Sequence, residues 1–269
     1  MSDEKELAFR YDLFVTPDWR DRFDRLVAQH IKLPVEGRIL DVNCGTGAHA
    51  IEMAEGLRSK GEVIGVDSSA ERVQIARAKA QVKRLNEANF EQSLPYDLRF
   101  ESDVFDVVIG DASLLRSDEV EDVLGEMVRV AAEGGRVVFK VITAGSFGEF
   151  FSIFWEALYD VGLDGKVLSD LEEMINERKT VSEVEEMAKR ADLRRIVSFT
   201  SKEEFQFETG DQFLSSPLIA DILLAGWLDI VPEERREEIL KRIEEIIERE
   251  RNDAPFDLSI KAAVVAGVK

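Results

Sequence analysis

Two acidic residues and a glycine turn have types and spacing that could do chemistry. Asp41 ends an apolar segment, and the turn Gly45-Thr46-Gly47 begins four residues later. Asp67 ends a second apolar segment, twenty residues after Gly47. Glycine lets a ligand approach the backbone where a Cβ would block it. A carboxylate beside such a turn can accept hydrogen bonds from sugar hydroxyls or attract a cation. The pattern therefore predicts a site for a nucleotide-like ligand at the ends of two strands.

Short apolar segments alternate with helical patterns from about residue 20 to 145, which predicts βαβ units and a parallel sheet. The predicted strands there include GRILDV, GEVIGVD, FDVVIGD and GRVVFKVIT. Gly134 and Gly135 are predicted to end the helix before the last of these as a left-handed cap. The segments LRRIVSFTS and EEFQFE are predicted to form two further strands. The tail DLSIKAAVVAGVK alternates and predicts a final strand, which follows a helical insertion at about 211–253.

Composition excludes several classes of protein. The chain has 269 residues, 45% of them hydrophobic, enough for a sizeable core. Its formal charge of -20 disfavours nucleic acid and anionic membrane surfaces as partners. The lone cysteine, Cys44, cannot form an internal disulfide, and no pattern of ligands suggests a metal. No signal peptide or bilayer-spanning segment is evident, so we expect a soluble, cytoplasmic protein.

Two ligands compete for the glycine turn. Gly45 to Ala50 satisfies the Gly-x-Gly-x-x-Ala pattern of dinucleotide sites, with Asp67 placed for the ribose hydroxyls. Asp41 separates the alternatives, because its carboxylate would repel a pyrophosphate and attract a cation. S-adenosylmethionine carries a sulfonium and an ammonium group, and it therefore suits a turn with acids at both strand ends.

The first motif, Asp41-Val42-Asn43-Cys44-Gly45-Thr46-Gly47, resembles that of the class I, Rossmann-like S-adenosylmethionine-dependent methyltransferases. Their motif runs Asp/Glu-x-Gly-x-Gly-x-Gly, and here Asn replaces the first glycine, a position where Asn tolerates positive φ. Three later segments resemble the family in the same order: GEVIGVDSSAERVQIARAKA, DLRFESDVFDVVIGDASLL and VLGEMVRVAAEGGRVVFKV. The small-molecule, quinone-biosynthesis-like branch of the family is the most similar.

The resemblance implies a fold. We expect an α/β, doubly wound, mostly parallel seven-stranded sheet with helices on both faces and an antiparallel last strand. The resemblance to the family covers about residues 7–145, then the segment TVSEVEEMAKRADLRRIVSFT and the final strand. The whole chain, 1–269, is predicted to form a single Rossmann-like methyltransferase domain. Helical additions on the substrate side are expected at 145–190 and 211–253.

The resemblance also implies a set of cofactor-binding residues. These are Tyr11, Asp41, Asn43, Cys44, Gly45, Gly47, Asp67, Ser68, Ser93, Leu94 and Asp111. Asp67 is the expected ribose ligand, and Tyr11 corresponds to an N-terminal aromatic that covers the cofactor in quinone-biosynthesis relatives. The adenine contact is open, because aligning DLRF selects Ser93 or Leu94, whereas aligning SLPY points to Phe90 or Glu91.

Methyl transfer from a sulfonium is an in-line displacement on an activated carbon, so alignment and water exclusion supply most of the catalysis. A general base is needed only if the acceptor must lose a proton. Asp111, at the end of the FDVVIGD strand, is the candidate catalytic residue, and the alternative is that it caps the following turn. His30 and His49 are expected to be structural. Catalysis by proximity is therefore the simplest hypothesis.

The acceptor is the least determined part of the hypothesis. Aromatic residues at helical spacing over 147–158 could pack a core or cover a small, partly apolar acceptor. The amphipathic segment within 211–250 could pack on its own sheet or pair two subunits into a homodimer. Two alternatives to an S-adenosylmethionine-dependent methyltransferase remain: a non-catalytic protein that binds S-adenosylmethionine, and an NAD-dependent oxidoreductase.

Overall fold

The computed structural model describes residues 3–57, 61–252 and 254–269, and a seven-stranded sheet is its central element. The strands are β1 (Gly37–Val42), β2 (Gly61–Asp67), β3 (Ala88–Gln92), β4 (Phe105–Asp111), β5 (Ala131–Ile142), β6 (Arg194–Phe207) and β7 (Phe256–Val268). Their order across the sheet is β3-β2-β1-β4-β5-β7-β6. Strands β1 to β5 pair in parallel, and the last strands are antiparallel. This is the predicted fold class.

Helices connect the strands. They are α1 (Asp3–Arg10), α2 (Asp21–His30), α3 (Ala48–Gly56), α4 (Ala70–Lys83), α5 (Val120–Val130), α6 (Gly148–Asp160), α7 (Lys166–Asn176), α8 (Val181–Arg190), α9 (Gly210–Ser215), α10 (Leu224–Leu228) and α11 (Arg236–Arg251). A π-helical segment, Tyr11–Arg20, joins α1 to α2, so the chain is helical from Asp3 to His30. A second π-helical segment, Ile219–Leu223, leads into α10, and a short 3-10 helix, Glu233–Arg235, leads into α11.

Strand register places three charged side chains on one face of the sheet. Asp41 on β1 lies opposite Ile109 on β4. Asp111 is two residues further along β4 and so points to the same face as Ile109. Lys140 on β5 lies opposite Asp111. The pairing alone therefore brings two carboxylates and an ammonium group to the carboxyl ends of three adjacent strands.

The chain divides into two compact units. The first contains residues 1–141, 181–201 and 262–269. Its core is built from strands β1, β2, β4 and β5 together with α5 and α8, with Val108, Met127 and Phe139 among its buried members. The centre of β4, residues 107–110, is apolar and buried because parallel strands are covered on both faces. This first unit contains the glycine turn and both acids of the predicted site.

The second unit, residues 142–180 and 202–261, has an aromatic core. Phe150 on α6 is fully buried, and its ring stacks on Trp227 with 4.1 Å between the ring centroids. Phe213 and Phe154 also pack against Phe150, at 5.6 and 5.5 Å. The aromatic residues predicted either to pack a core or to cover a ligand therefore fill the interior of this unit.

Two local predictions were wrong. Helix α5 ends at Val130, because Ala131 is already extended (φ -67°, ψ 138°) and begins β5. Gly134 still has a positive φ of 76°, but it lies inside the strand and not at a helix cap. The segments LRRIVSFTS and EEFQFE, predicted as separate strands, belong to the continuous strand β6.

The domain boundaries proposed from the sequence stay a prediction, and residue 253, which ends the second addition, lies outside the described residues. Within the part of the chain that the structure describes, we find no helix that combines the length and the apolar character needed to span a bilayer.

Candidate functional site

The glycine turn between β1 and α3 uses positive φ angles at Asn43 (57°), Gly45 (59°) and Gly47 (80°). The backbone N–H of Cys44 donates to the carbonyl of Val66 at 2.8 Å, which ties the turn to β2. A Cβ on Gly47 would lie 2.7 Å from the Cβ of Ala76, so packing against α4 requires glycine there. Burial raises the pKa of the Cys44 thiol well above its usual value, which disfavours the nucleophilic thiolate form.

Asn43 does more than tolerate its conformation. Its side-chain amide donates to the carbonyl of Asp111 at 2.9 Å, which fastens the turn to the end of β4. Its own carbonyl accepts a hydrogen bond from the guanidinium of Arg20 at 2.5 Å. The departure from the family's first glycine is therefore accommodated by a contact that glycine cannot make.

We expect Asn43→Gly to lower the free energy of unfolding by about 1 kcal/mol, because it removes the hydrogen bond to Asp111. Gly keeps the positive φ, so the turn should keep its shape and calorimetric affinity for S-adenosylmethionine should change less than threefold. Urea unfolding and titration calorimetry measure the two quantities. A large loss of affinity with unchanged stability would contradict this role for Asn43.

Asp67 is fixed by backbone groups at the end of β2. Its Oδ2 accepts a hydrogen bond from the N–H of Gly45 at 2.9 Å, and its Oδ1 accepts one from the N–H of Ser69 at 2.9 Å. Arg72 on α4 lies 3.7 Å from Oδ1. The carboxylate is thus oriented beside the turn, as a ligand for ribose hydroxyls requires.

A cavity of about 310 Å³ lies next to Asp67, between α1 and the ends of β2 and β3. Its lining residues are Glu4, Leu7, Ala8, Ser68, Ser69, Ala70, Glu71, Arg72 and Gln92. Of the residues predicted for the adenosine end, Ser68 lines this cavity. Ser93 is buried, and its hydroxyl donates to the carbonyls of Leu94 and Asp97 within its own turn. Leu94 is 44% exposed.

Tyr11 covers the turn from the N-terminal segment. A Cβ on Gly45 would lie 3.0 Å from the Tyr11 ring, so the ring rests directly on the turn. The guanidinium of Arg72 lies over the ring, 3.9 Å from its centroid. Arg20 donates to the Tyr11 hydroxyl at 3.0 Å, and burial raises the pKa of that hydroxyl. Tyr11 is therefore placed where a cofactor on the glycine turn would meet it.

A further polar chain attaches the N-terminal segment to the turn. The hydroxyl of Thr46 donates to the carboxylate of Asp12, and Lys79 on α4 also donates to Asp12. The Thr16 hydroxyl lies 3.4 Å from the Thr46 hydroxyl. These contacts hold the segment that carries Tyr11 and Arg20 against the first motif.

A buried charge cluster lies on the sheet face that holds Asp41, and we define it as Arg20, Asp24, Asp41, Asp111 and Lys140. The ammonium of Lys140 donates to Asp24 at 2.6 Å and lies 3.5 Å from Asp111. The guanidinium of Arg20 lies 3.4 Å from Asp111. All five residues are less than 9% exposed.

Asp41 is the exception within the buried charge cluster. Its side chain is 0% exposed, and neither carboxylate oxygen accepts a hydrogen bond from any of the described residues. Burial raises the pKa of Asp41, although Lys140, His49 and Arg20 act in the opposite direction. A buried carboxylate without partners is costly, and a cationic ligand would relieve that cost.

The other carboxylates of the cluster are held ionised. Burial opposes the charge of Asp24, but Lys140, His49 and Arg20 outweigh it and lower the pKa of Asp24 to about 2. Burial likewise opposes ionisation of Asp111, yet Arg20 and Lys140 lower its pKa. The Asp111 carboxylate also accepts hydrogen bonds from the N–H of Ser113 at 2.9 Å and from its hydroxyl at 2.5 Å. Asp111 thus caps the turn after β4.

The sequence reasoning missed Arg20, Asp24 and Lys140. Lys140 carried a usable signal, because a lysine inside the apolar run RVVFKVI has to find a partner. Arg20 and Asp24 carried no such signal, because their charged partners are 91 and 116 positions away, on β4 and β5. His49 is buried, with its Nδ1 3.4 Å from Asp24.

The strand order, the glycine turn and the acids at the ends of β1 and β2 define a Rossmann-like nucleotide-binding protein. Comparison with known proteins narrows this class. A family model described as a methyltransferase domain matches residues 35–210. The chain belongs to this family, as the sequence resemblance predicts, and S-adenosylmethionine is the methyl donor of this class of enzyme.

Curated relatives and solved structures agree with the family. A demethylmenaquinone methyltransferase of Lactococcus lactis is 38% identical over 100 residues, which is 37% of this chain and 40% of that protein. The corresponding protein of Thermus thermophilus is 34% identical over 162 residues, 56% of this chain and 70% of the relative. The crystal structure of the YcgJ protein from Bacillus subtilis matches with a TM-score of 0.62 at 20% identity, covering 93% of this chain and 98% of that one. That structural match shows the fold.

Proposed function

We propose that this protein transfers the methyl group of S-adenosylmethionine to a small, partly apolar acceptor. The observation that carries the proposal is Asp41, a buried carboxylate without a hydrogen-bond partner among the described residues, beside a glycine turn and a fixed Asp67. A ligand that brings both a cation and a ribose satisfies both acids. A dinucleotide would bring its pyrophosphate towards Asp41 and raise the cost of that charge.

The site residues divide by the part of the cofactor they suit. Asp67 would hold the ribose hydroxyls, and Ser68 would line the adenosine end in the cavity beside α1. Asp41 would face the positive charge of the methionine end. Arg20 and Tyr11 would supply hydrogen-bond donors for the carboxylate of the cofactor's methionine end, since a guanidinium is the preferred partner of a carboxylate. Bound in this way, S-adenosylmethionine supplies an electrophilic methyl group.

The residues of this chain would act by binding, orientation and exclusion of water. Tyr11 and the helical segment that carries it cover the turn and separate it from solvent. Asp111 has a lowered pKa and four polar neighbours, and both features make it a weak proton acceptor. We therefore propose that Asp111 positions Arg20 and the turn, while alignment of the reactants supplies the rate enhancement.

The acceptor class is supported by the relatives. Those named as demethylmenaquinone methyltransferases act, by that name, on an aromatic, lipid-like molecule. A quinone-like acceptor is one member of the partly apolar class proposed here. The chain spans 40% of the Lactococcus relative, so its acceptor has to be measured on this protein itself.

Titration calorimetry with S-adenosylmethionine, S-adenosylhomocysteine and NAD tests the cofactor site. We expect micromolar affinity for the first two and none for NAD. Asp67→Ala should lower the affinities for S-adenosylmethionine and S-adenosylhomocysteine by at least about tenfold, because it removes the carboxylate placed for the ribose. The matched control is Glu62→Ala, which removes a half-buried carboxylate, paired with Arg38, at the other end of the same strand.

The alternatives give different results in this experiment. Binding of NAD alone would support an oxidoreductase and overturn the proposal. Binding of S-adenosylmethionine without turnover on any of a panel of quinone-like and other small acceptors would favour a non-catalytic binding protein. Thermal unfolding of Asp67→Ala accompanies the titration, because that carboxylate also holds the N–H of Gly45.

A further inference from the structure

Lys140 and Asp24 have no assigned part in the proposed site. The Lys140 side chain is 0% exposed and lies within a strand whose neighbouring residues are apolar. Burial opposes its charge, but Asp24 and Asp111 outweigh this and raise the pKa of Lys140, so its ammonium stays protonated. Asp24 comes from the N-terminal helical segment and meets Lys140 at 2.6 Å. The pair is therefore a permanent part of the electrostatics of the sheet face.

The formal charges of the buried charge cluster do not sum to zero. Its five members are the cations Arg20 and Lys140 and the carboxylates of Asp24, Asp41 and Asp111, so these five side chains carry one negative charge in excess. The excess falls on Asp41, whose oxygens accept no hydrogen bond from the described residues. Water cannot screen this charge well, because every member of the cluster is buried.

The proposed cofactor and its product differ by one charge. S-adenosylmethionine carries a sulfonium in addition to its ammonium and carboxylate groups. S-adenosylhomocysteine lacks the sulfonium and is neutral overall. A buried site with one unbalanced negative charge stabilises the first relative to the second.

We propose that Lys140 and Asp24 are positioning residues that set the charge of the methyl-donor site and thereby its preference for S-adenosylmethionine over S-adenosylhomocysteine. This inference rests on the proposed function. Lys140 removes one unit of the negative charge that three carboxylates would otherwise present. The carboxylate of Asp24 adds one negative charge, which brings the net charge of the cluster to minus one. It also holds the ammonium group of Lys140 in place.

The charge count makes opposite predictions for two substitutions. Asp24→Asn leaves the cluster neutral, so the ratio of affinities for S-adenosylmethionine and S-adenosylhomocysteine should fall by about tenfold. Lys140→Met leaves two negative charges in excess, so the same ratio should rise by about tenfold. The double variant Asp24→Asn/Lys140→Met restores one negative charge, and its ratio should return to the wild-type value.

Titration calorimetry at pH 7.5 measures these ratios on the full chain. The probes are S-adenosylmethionine, S-adenosylhomocysteine and sinefungin, which carries an ammonium group where the methyl donor has its sulfonium. In every variant the affinity for sinefungin should change in the same direction as the affinity for S-adenosylmethionine, because the site recognises the charge and not the methyl group. The matched control is Lys83→Met, which removes an ammonium from an exposed pair with Glu55.

If Lys140 and Asp24 had only a structural role, their substitution would lower the affinities for all three ligands together and leave the affinity ratios unchanged. Ratios within twofold of wild type in both single variants, or shifts in the same direction, would overturn the inference. If Lys140→Met does not fold, Asp24→Asn and the double variant still make different predictions. Failure of the proposed function is distinct, because the wild-type protein would then bind none of the three probes.

Discussion

Asp41→Asn should abolish binding of S-adenosylmethionine and at the same time stabilise the protein. The carboxylate is fully buried, and it has no hydrogen-bond partner among the described residues. Its charge therefore opposes folding, and the substitution should raise the free energy of unfolding by about 1 kcal/mol at pH 7. The same charge faces the proposed cationic ligand, so affinity should fall by at least about a hundredfold.

The pH dependence of the stability gain follows from the raised pKa of Asp41. A carboxyl whose pKa is raised by folding opposes folding where the unfolded chain ionises, above about pH 3.9, and does so less at lower pH. The gain in Asp41→Asn should therefore be full at pH 7, shrink as pH falls through the raised pKa of the folded state, and be lost below about pH 3.9.

Urea unfolding at pH 7 and pH 3.5, with calorimetry at pH 7.5, measures both effects of Asp41→Asn. Asp118→Asn is the control, because its carboxylate is 70% exposed and lies outside the buried charge cluster. Unchanged affinity for S-adenosylmethionine in Asp41→Asn would remove the main support for the proposed cofactor site. A fall in stability would show instead that Asp41 has a partner within the folded chain.

The first motif was predictable because its information is local. An apolar strand, an acid, a turn that needs positive φ and a helix follow one another within about twenty residues, so residue types alone define the turn. The fold class followed from the family resemblance, whose segments occur in the same order along the chain. The positive φ of Asn43 was predictable from its residue type. Its hydrogen bond to Asp111 was not, because that contact depends on β4 lying next to β1.

The buried charge cluster was unpredictable for the opposite reason. Arg20 and Asp24 lie on one amphipathic helical segment that also carries exposed charges, and nothing local separates buried from exposed ones. Their burial depends on how that segment packs on the ends of β4 and β5. The early end of α5 is a similar case, because the pairing of β5 with β4 overrides the glycines as helix terminators.

Lys140→Met should lower the free energy of unfolding by about 3 kcal/mol at pH 7, the usual cost of breaking a buried ion pair. The loss arises because Asp24 keeps its charge while its nearest cation, at 2.6 Å, is removed. Asp24→Asn in the same chain should recover at least half of that loss, because a neutral amide no longer needs the ammonium. The recovery distinguishes a charge effect from a packing defect, which the second substitution would worsen.

The effect of Lys140→Met should also depend on pH with a defined sign. In the wild type the pKa of Asp24 is lowered to about 2. A carboxyl with a lowered pKa stabilises the fold above its unfolded value of about 3.9 and loses that contribution as pH falls towards 2. The difference between wild type and Lys140→Met should therefore be largest at neutral pH and shrink steadily between pH 4 and pH 2.

Urea unfolding of wild type, both single variants and the double variant from pH 7 to pH 2.5 measures this dependence. Arg136→Met is the matched control, because Arg136 lies on the same strand with an exposed side chain and should change stability by less than about 0.5 kcal/mol. A difference between wild type and Lys140→Met that stayed constant with pH would show that Asp24 does not depend on Lys140 for its charge.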